Sequence, residues 1–389
     1  MDYRQILDRI ESKRTGRKKP ARETTRNALE ELENPENRYR TILISGTNGK
    51  GSVVGMTSEL LQNNGKRVGT YRSPHLKTVR ERIQVDGEKI SKKEFMRLYK
   101  EIEDSSDGLS FFEFMTVMAY TYFSRKDVDY AVMEVGMGGR LDATNVVESE
   151  ISAITNLGED HKKYLGDTRE ERAEELAGII DSKVVLGEMS EELIEAAEDR
   201  NAKIIGKKGL DGNANTTLEL DEEEFRIPVR GGFQKQNCGI AISIVKELEE
   251  IPENLEEAFE DLECPGRMEV ISRKPLYIQD GAHNRSAVEE IMKDLPKDFT
   301  CVFNASKDKE VEKMISKLEE KASKFYFTES NVEWATKEAE DLAEHTSKEY
   351  EIEKNPVEAV RKARKETDRD GCVLATGSLY LIGALKEEE

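Results

Sequence analysis

The chain has 389 residues, and the usual domain size of roughly 150 residues predicts more than one domain, of which we expect two. Its formal net charge is −20, and 36% of its residues are charged. A general nucleic-acid binder presents a net basic face, so this composition argues against that class and favours small molecules as partners.

Cysteine usage and hydropathy bear on the cellular compartment. Four cysteines are scattered without a CxxC pair, and from the charged N-terminal stretch we expect no secretory leader. We therefore expect reduced thiols in a cytoplasmic protein. The longest nearly apolar run, at residues 111–123, contains Glu113 and is too short to cross a bilayer, so we expect no membrane span.

The most informative stretch is residues 41–52, which read TILISGTNGKGS. A short apolar strand runs into a glycine-rich loop with one lysine, and a helical stretch at 53–61 follows. That order lets backbone N–H groups surround a phosphate, while Lys50 and the Ser52 hydroxyl reach its oxygens and a metal. The general P-loop pattern differs, because Ile44 replaces its first glycine and Gly51 separates Lys50 from Ser52. A plain glycine turn is the alternative. We predict a nucleotide site with contacts from Gly46, Thr47, Asn48, Gly49, Lys50, Gly51 and Ser52.

Strands and helices alternate along the rest of the chain, which predicts mostly parallel α/β sheets. The first part shows strands at 66–71, 130–135, 151–155 and 184–186 and helices at 92–103, 111–124, 239–248 and 255–262. The alternation restarts near residue 270, with strands at 276–279, 300–303, 324–327 and 372–375. One helix between these strands carries a one-sided apolar stripe: Val311, Met314, Ile315 and Leu318. We predict two domains, 1–270 and 271–389.

A single carboxylate ends the apolar strand before the next glycine loop. Glu134 closes the run DYAVME, at the end of a strand where open α/β sheets place ligands. We expect it to hold Mg²⁺ on nucleotide phosphates. The loop at 136–145 follows, in which the glycines permit close approach and Arg140 is available for an anion. Taken alone, this loop is equally compatible with a flexible turn.

The histidines are few and placed alike. The chain has four, and three of them, His75, His161 and His283, sit in loops just beyond predicted strands. A single histidine is usually structural, but three at the same edge of α/β units favour a site. His161 could ligate a metal, and His283 belongs to the second domain.

Together these segments resemble the folylpolyglutamate synthase/dihydrofolate synthase family of the Mur ligase superfamily. The resemblance covers nearly the whole chain and rests on eight motifs in family order. They are GTNGKGS at 46–52, SPHL at 73–76, ERI at 81–83, EVGMGGRLDATN at 134–145, ITNLGEDHKKYLG at 154–166, PGRMEV at 265–270, DGAHN at 280–284 and GSLYLIG at 377–383. The implied fold is a P-loop, Mur-ligase-like α/β domain with a mostly parallel sheet, followed by a smaller Rossmann-like α/β domain.

The resemblance implies ATP-dependent addition of L-glutamate to a folate or dihydropteroate carboxylate through an acyl phosphate. It implies that Lys50 and Ser52 hold phosphates and that Ser73, Glu134 and His161 coordinate Mg²⁺. By the same similarity, three residues contact the nucleotide: Asn237 the adenine, Arg267 a phosphate and Asp280 the ribose. His283 and Ser378 resemble residues that contact the glutamate. A monomer is expected. The residues expected to be catalytic are Lys50, Glu134, His161, Arg267 and His283.

The chain departs from the family pattern at three positions. Leu176 stands where the family usually has a lysine that becomes carbamylated and supports a second metal, so we expect one Mg²⁺ site. Phe233 and Asn304 replace a histidine and a glycine that are usual in relatives. The motifs do not separate the first glutamate addition from elongation of the tail. Two alternatives stay open: another Mur-type amino acid ligase, or a nucleotide-binding module that has lost ligation.

Overall fold

The computed structural model describes residues 1–13, 21–212, 217–220, 223–330, 332 and 336–386. The chain folds into two compact units. The first comprises Met1–His75, Val79–Leu210 and Gln236–Leu262, and the second comprises Leu76–Thr78, Asp211–Lys235 and Glu263–Glu389. This division differs from the predicted boundary at 270/271. Glu269 and Val270 already belong to the first strand of the second sheet, and the segment Asp211–Lys235 belongs to the second unit.

The first 210 residues alternate helices and strands, as the sequence predicts. Their elements are α1 (Tyr3–Ser12), α2 (Ala21–Glu31), β1 (Arg40–Ser45), α3 (Lys50–Asn63), β2 (Val68–Tyr71), β3 (Ile83–Val85), β4 (Glu88–Lys89), α4 (Lys92–Ile102), α5 (Phe111–Arg125), β5 (Tyr130–Glu134), β6 (Ile151–Ile154), α6 (Lys162–Leu165), α7 (Arg169–Ala177), β7 (Lys183–Leu186), α8 (Glu191–Glu198) and β8 (Lys203–Gly206).

The first unit is built on an eight-stranded sheet in the order β4-β3-β2-β5-β1-β6-β7-β8. The six strands from β2 to β8 in that order run parallel, and β3 and β4 add an antiparallel edge. Residues of β1, β2 and β5 are almost all buried because helices cover both faces of a parallel sheet. Strand β1 lies at the centre, between β5 and β6, so the loops after these three strands share one edge.

Helix α5 explains the longest apolar run of the sequence. It begins with a capping box, in which Ser110 accepts from the backbone of Glu113 and the Glu113 side chain accepts from the Ser110 backbone. Almost every residue of the helix is buried, which is why its apolar positions are nearly continuous rather than one-sided. Within the described residues, no helix is both long and apolar enough to span a bilayer.

The structure differs most from the sequence prediction at residues 211–258, which follow the first sheet along the chain. The next elements are β9 (Asp211–Gly212), β10 (Thr217–Leu220), β11 (Glu223–Arg226), α9 (Gly232–Lys246) and α10 (Leu255–Ala258). Strands β9 to β11 form a small antiparallel sheet that we did not predict. Helix α9 begins at Gly232 rather than at residue 239, and α10 ends at Ala258 rather than at residue 262.

The second unit holds a six-stranded sheet. Its elements are β12 (Glu269–Arg273), β13 (Leu276–Gln279), α11 (Arg285–Asp294), β14 (Phe299–Phe303), α12 (Val311–Leu318), β15 (Ala322–Phe327), α13 (Ala339–Ala343), β16 (Glu349–Ile352), α14 (Pro356–Glu366), β17 (Cys372–Thr376) and α15 (Leu379–Lys386). The strand order is β12-β13-β17-β14-β15-β16, and only β12 is antiparallel. The four predicted strands and the apolar stripe of α12, all of it buried, are confirmed. The predicted mostly parallel α/β architecture is therefore present in both units.

Candidate active site

The glycine-rich loop lies between the end of β1 and the start of α3 and needs glycine at two positions. Gly46 has a φ of +127° and Gly49 a φ of +85°, a region that L side chains rarely adopt. Space is short as well. A Cβ on Gly46 would lie 2.0 Å from Thr155 Oγ1, and one on Gly49 would lie 2.5 Å from Asn237 Oδ1. The loop is therefore closely surrounded by residues of other elements of the first unit.

The start of α3 carries the groups that would meet a phosphate. Lys50 is its first residue, and its Nζ donates to the carbonyls of Gly46, at 2.8 Å, and Thr47, at 3.3 Å. The Ser52 side chain is 2% exposed, and its Oγ has no hydrogen-bond partner in the part of the chain that the structure describes. The backbone N–H groups of a helix start, a lysine and an orphaned hydroxyl are the kinds of donor that bind an anion.

The loop after β6 holds this glycine loop in place. Asn48 N–H donates to Asn156 Oδ1 at 3.0 Å, and Thr155 Oγ1 donates to the Asn48 carbonyl at 2.7 Å. Gly158 N–H donates to Thr47 Oγ1 at 2.8 Å. Sequence reasoning missed this support, although Thr155 and Asn156 open the motif that contains His161. The signal was available in the polar pair that directly follows a buried strand.

Glu134 ends β5 beside the glycine loop. Its strand pairs with β1, with Glu134 opposite Ile44, and the residue is 5% exposed. The Ser73 N–H donates to Glu134 Oε2 at 2.8 Å, and the same oxygen lies 3.4 Å from the Cβ position of Gly51. The structure thus brings three predicted site residues, Ser73, Glu134 and Gly51, into direct proximity. A buried carboxylate and an orphaned Ser52 hydroxyl are oxygen ligands of the kind that Mg²⁺ prefers.

His161 is placed by the loop that continues from Gly158. It stands just before the short helix α6 with a φ of 55°, and its N–H donates to Asp160 Oδ1 at 2.9 Å. Its Nε2 lies 3.9 Å from Asp160 Oδ2, and one third of the side chain is exposed. Within the described residues, no group of three His, Cys, Asp or Glu side chains could hold a metal without other donors. The predicted metal ligands include a serine, Ser73, beside Glu134 and His161, and the binding of Mg²⁺ by these three residues stays a prediction.

Asn237 is brought to the glycine loop by α9. The residue is 5% exposed, and its side-chain oxygen lies against Gly49. His75, in contrast, is occupied by a neighbour, because Arg82 Nε donates to its Nδ1 at 2.9 Å. The structure therefore places Asn237 where we expect the nucleotide and gives His75 a structural partner.

The loop at 136–145 is ordered around Asp142. Burial raises the pKa of this carboxyl group, and hydrogen bonds from Thr144 and Met137 partly offset that effect. Arg140, which we expected to be available for an anion, forms a 3.0 Å ion pair with Glu175. More than half of the Arg140 side chain remains exposed, so its availability for an anion stays a prediction.

Leu176 lies on α7, next to the same loop. Its side chain is 2% exposed and belongs to the hydrophobic core of the first unit. Its backbone carbonyl would lie 2.7 Å from a Cβ on Gly139. An apolar side chain inside the core offers no ligand to a metal, which agrees with the expectation of a single site.

In the second unit, the loop after β13 gathers Asp280 and Arg267. Asp280 is 3% exposed, and its two oxygens accept from the N–H groups of Met268 and Ala282, both at 2.7 Å. Burial raises the pKa of Asp280, whereas the charge of Arg267 and the two amides lower it. A Cβ on Gly281 would lie 2.9 Å from Arg267 Nη1. Asp280 therefore orders this loop, and its predicted contact with ribose stays a prediction.

His283 and Ser378 lie in the loops after two neighbouring parallel strands, β13 and β17. The ring Nδ1 of His283 is 3.0 Å from the Gly281 carbonyl, and Ser378 Oγ accepts from Tyr380 N–H at 3.1 Å. A Cβ on Gly281 would lie 2.3 Å from Leu379 Cδ2, so the two loops are in contact. The structure brings the two residues that we expect to contact the substrate glutamate to the same edge of this sheet.

Phe233 and Asn304, the two other departures from the family pattern, are both packed inside the second unit. Phe233 is partly buried and packs against the core of the second unit. Asn304 is 1% exposed and donates from Nδ2 to the Thr328 carbonyl at 2.9 Å.

Comparisons with known proteins assign the chain to a family. The Mur ligase middle domain matches residues 44–245, and the Mur ligase glutamate ligase domain matches residues 266–379. The dihydrofolate synthase/folylpolyglutamate synthase of Bacillus subtilis is 31% identical over 95% of this chain and 95% of its own length. A probable bifunctional folylpolyglutamate synthase/dihydropteroate synthase of Haloferax volcanii is 33% identical over 98% of this chain, which spans about half, 50%, of that longer protein.

A solved structure agrees over the whole chain. The bifunctional folylpolyglutamate synthase/dihydrofolate synthase of Yersinia pestis, complexed with AMPPNP and a Mn ion, superposes with a TM-score of 0.90 at 25% identity. The match covers 100% of this chain and 98% of the other. The chain therefore belongs to the Mur ligase family, in its folylpolyglutamate synthase/dihydrofolate synthase branch.

Proposed function

We propose that the chain is an ATP-dependent amide ligase that adds L-glutamate to a folate-type carboxylate through an acyl phosphate. The observation that carries this proposal is the glycine cradle at the start of α3, where Lys50, the orphaned Ser52 hydroxyl and the buried Glu134 meet. Family membership, with a glutamate ligase domain over residues 266–379, supports the identity of the added amino acid.

The cradle residues divide the work on ATP. Lys50 would leave its two carbonyl partners to meet the phosphate oxygens, and Ser52 would add its hydroxyl. Glu134, Ser73 and His161 would hold Mg²⁺, which supplies positive charge against the phosphates. Asn237, packed on Gly49, would accept a hydrogen bond from the adenine. Fixed cations matter more here than a general acid, because the reaction builds negative charge as the phosphoryl group passes to the acceptor carboxylate.

The second unit would supply the remaining contacts. Arg267 would meet a phosphate and Asp280 the ribose, the roles expected from the PGRMEV and DGAHN motifs. His283 and Ser378, whose loops touch, would bind the incoming glutamate, with its amino group left to attack the acyl phosphate. The tetrahedral intermediate then expels phosphate and leaves the new amide bond.

The acceptor is the least constrained part of this proposal. Either dihydropteroate or a folate could accept glutamate, and one site could serve both. The monomeric state and cytoplasmic location expected from the sequence stay predictions, as does the absence of nucleic-acid binding. A rival function, nucleotide binding without ligation, draws on Leu176, which removes a side chain that the family uses for a second metal.

The test is glutamate-dependent ADP release from the purified chain. Dihydropteroate, folate and tetrahydrofolate are supplied in turn with MgATP, and the product is identified by mass. We expect ADP release that needs both glutamate and at least one acceptor, with one glutamyl unit added per ADP. ATP binding without such turnover would favour the non-ligating rival, and turnover with another acid and amino acid would favour another Mur-type ligase.

A further inference from the structure

The outer face of α4 carries an unusual row of positive charge. The helix buries Phe95, Leu98, Tyr99 and Ile102 in the core of the first unit. Its opposite face exposes Lys93, Arg97 and Lys100. These three positions follow the i, i+4, i+7 spacing, so their side chains lie on one side of the helix.

None of the three cations has an ion-pair partner among the described residues. The acidic residues of α4 are engaged elsewhere, Glu94 with Lys126 and Glu101 with Arg125. Some basic residues of other helices pair with carboxylates close by, as in Lys293–Glu290, Lys313–Glu310, Lys317–Glu320 and Arg361–Glu358. Others, such as Arg4 of α1 and Lys365 of α14, are exposed without an ion pair among the described residues, but singly and not in a row. Like charges four residues apart on a helix cost a few tenths of a kcal/mol. The chain maintains this unfavourable row although its net charge is −20.

The row also borders a concave surface. A shallow hollow, open to solvent over most of its surface, is lined by five residues of α4: Lys93, Met96, Arg97, Lys100 and Glu101, whose carboxylate is paired with Arg125. Met96 is only partly exposed and gives the hollow an apolar side. Aliphatic stems of lysine and arginine extend such a surface while their charged ends reach solvent. The hollow therefore combines a hydrocarbon surface with three positive charges along one line.

We propose that this α4 face binds a short oligocarboxylate chain, namely the glutamate oligomer of long-tailed folates. The inference rests on the proposed function, which makes such a chain. Lys93 and Arg97 are separated by about 6 Å along the helix axis and Arg97 and Lys100 by about 4.5 Å. In an extended γ-linked glutamate chain, successive carboxylates lie about 6 Å apart along the chain, because five bonds separate the α-carbons that carry them. Two or three consecutive carboxylates can therefore meet the row while their methylene groups lie along Met96.

Charge and size favour this occupant over a nucleic acid. A net charge of −20 repels a long polyanion at low salt, and three cations on one helix are few beside the phosphate contacts that nucleic-acid binding uses. A short tail needs only the local field. The face would then act as a tail-binding site whose contribution grows with each added glutamate until the row is filled.

The experiment measures binding of free γ-linked glutamate oligomers of one, two, three and five residues to the full chain by calorimetry, without ATP. We expect affinity to rise up to three residues, to level off afterwards and to fall with added salt. The variant K93Q/R97Q/K100Q should bind the trimer at least about threefold more weakly, since each exposed contact is worth a fraction of a kcal/mol. The control K293Q/K313Q/K317Q removes the same charge from ion-paired lysines of other helices and should bind as the parent does.

Three outcomes would overturn the inference. These are no binding of any oligomer, an equal loss in the control variant, or tighter binding of inorganic triphosphate than of the trimer. Ligase turnover with an acceptor that carries no tail is measured in parallel and should be the same in both variants. Absence of that turnover in the parent chain would refute the proposed function instead, so the two failures are distinguishable.

Discussion

Glu134→Gln separates the charge of the carboxylate from its structural role. The residue is 5% exposed, and Oε2 accepts a hydrogen bond from Ser73 N–H at 2.8 Å. Glutamine has the same size and keeps an oxygen acceptor for that N–H group. The fold should therefore be kept, with a change in unfolding free energy below about 1 kcal/mol, because the bond survives and a buried charge is removed.

The effect on turnover should be large. A full negative charge disappears beside the start of α3, where the metal and phosphates would lie. Removal of one such preorganised electrostatic group typically costs about 2.7–4 kcal/mol, or roughly a hundred- to thousandfold in kcat. Glutamate-dependent ADP release under saturating substrates gives kcat, and thermal unfolding of the same samples reports stability.

Glu113→Gln is the matched control. Glu113 is also a buried carboxylate of the first unit, at 2% exposure, and accepts from Ser110 N–H at 2.7 Å in the capping box of α5. Glutamine is accepted at this capping position, so kcat should change less than about twofold. A near-normal kcat for Glu134→Gln, or equal losses in the two variants, would refute the assignment of Glu134 to the reacting phosphates.

Three further predictions concern the glycine loop, the metal and pH. Gly49→Ala should lose about 1–2 kcal/mol of stability because of its positive φ and, because the new Cβ displaces Asn237, at least about tenfold in affinity for an ATP analogue. The control Gly65→Ala, with a φ of +71° and nothing within 4 Å of its Cβ, should lose stability alone. A matching loss of affinity in Gly65→Ala would contradict the crowding argument. Because Leu176 offers no ligand, a Mn²⁺-soaked crystal of the ATP-analogue complex should show one strong anomalous peak, and added bicarbonate should not change the activity. Two peaks would disprove the single-metal interpretation. Glu36 is 5% exposed with an Oε2 that has no hydrogen-bond partner among the described residues, and burial raises its pKa above 4.5. Its contribution to stability is therefore fully present below pH 4.5 and is lost as the pH rises through the raised pKa. The stability of wild type relative to Glu36→Gln, measured by denaturant unfolding, should fall across that window, and a difference that does not change with pH would count against this prediction.

Sequence patterns predicted the elements that carry the site, because strong local signals define them. The buried strands β1, β5 and β13 are short apolar runs, and each ends at a glycine or carboxylate that the sheet edge makes useful. The glycine-rich loop before α3 was predicted for a related reason, since the glycines at 46 and 49 adopt conformations that few other residues reach. The helix itself begins at Lys50, three residues before the predicted start at residue 53.

Features that depend on distant partners were not predictable in the same way. The ion pair of Arg140 with Glu175 and the support of Asn48 by Asn156 join residues that only the tertiary fold brings together. The sheet β9–β11 consists of strands of only two to four residues, which are too short for an alternating pattern to identify a strand. The start of α9 was missed because its first six residues, GFQKQN, are mostly polar, and the apolar pattern begins only after them.

The most direct test of the central claim follows oxygen from the acceptor to phosphate. The acceptor is prepared with ¹⁸O in the carboxylate that receives glutamate, and the purified chain turns it over with MgATP and L-glutamate. An acyl phosphate transfers one carboxylate oxygen to the released phosphate when the amine attacks the carbonyl carbon. We predict phosphate carrying one ¹⁸O atom, in equal amount to the amide product. Amide product with unlabelled phosphate would contradict the acyl-phosphate route.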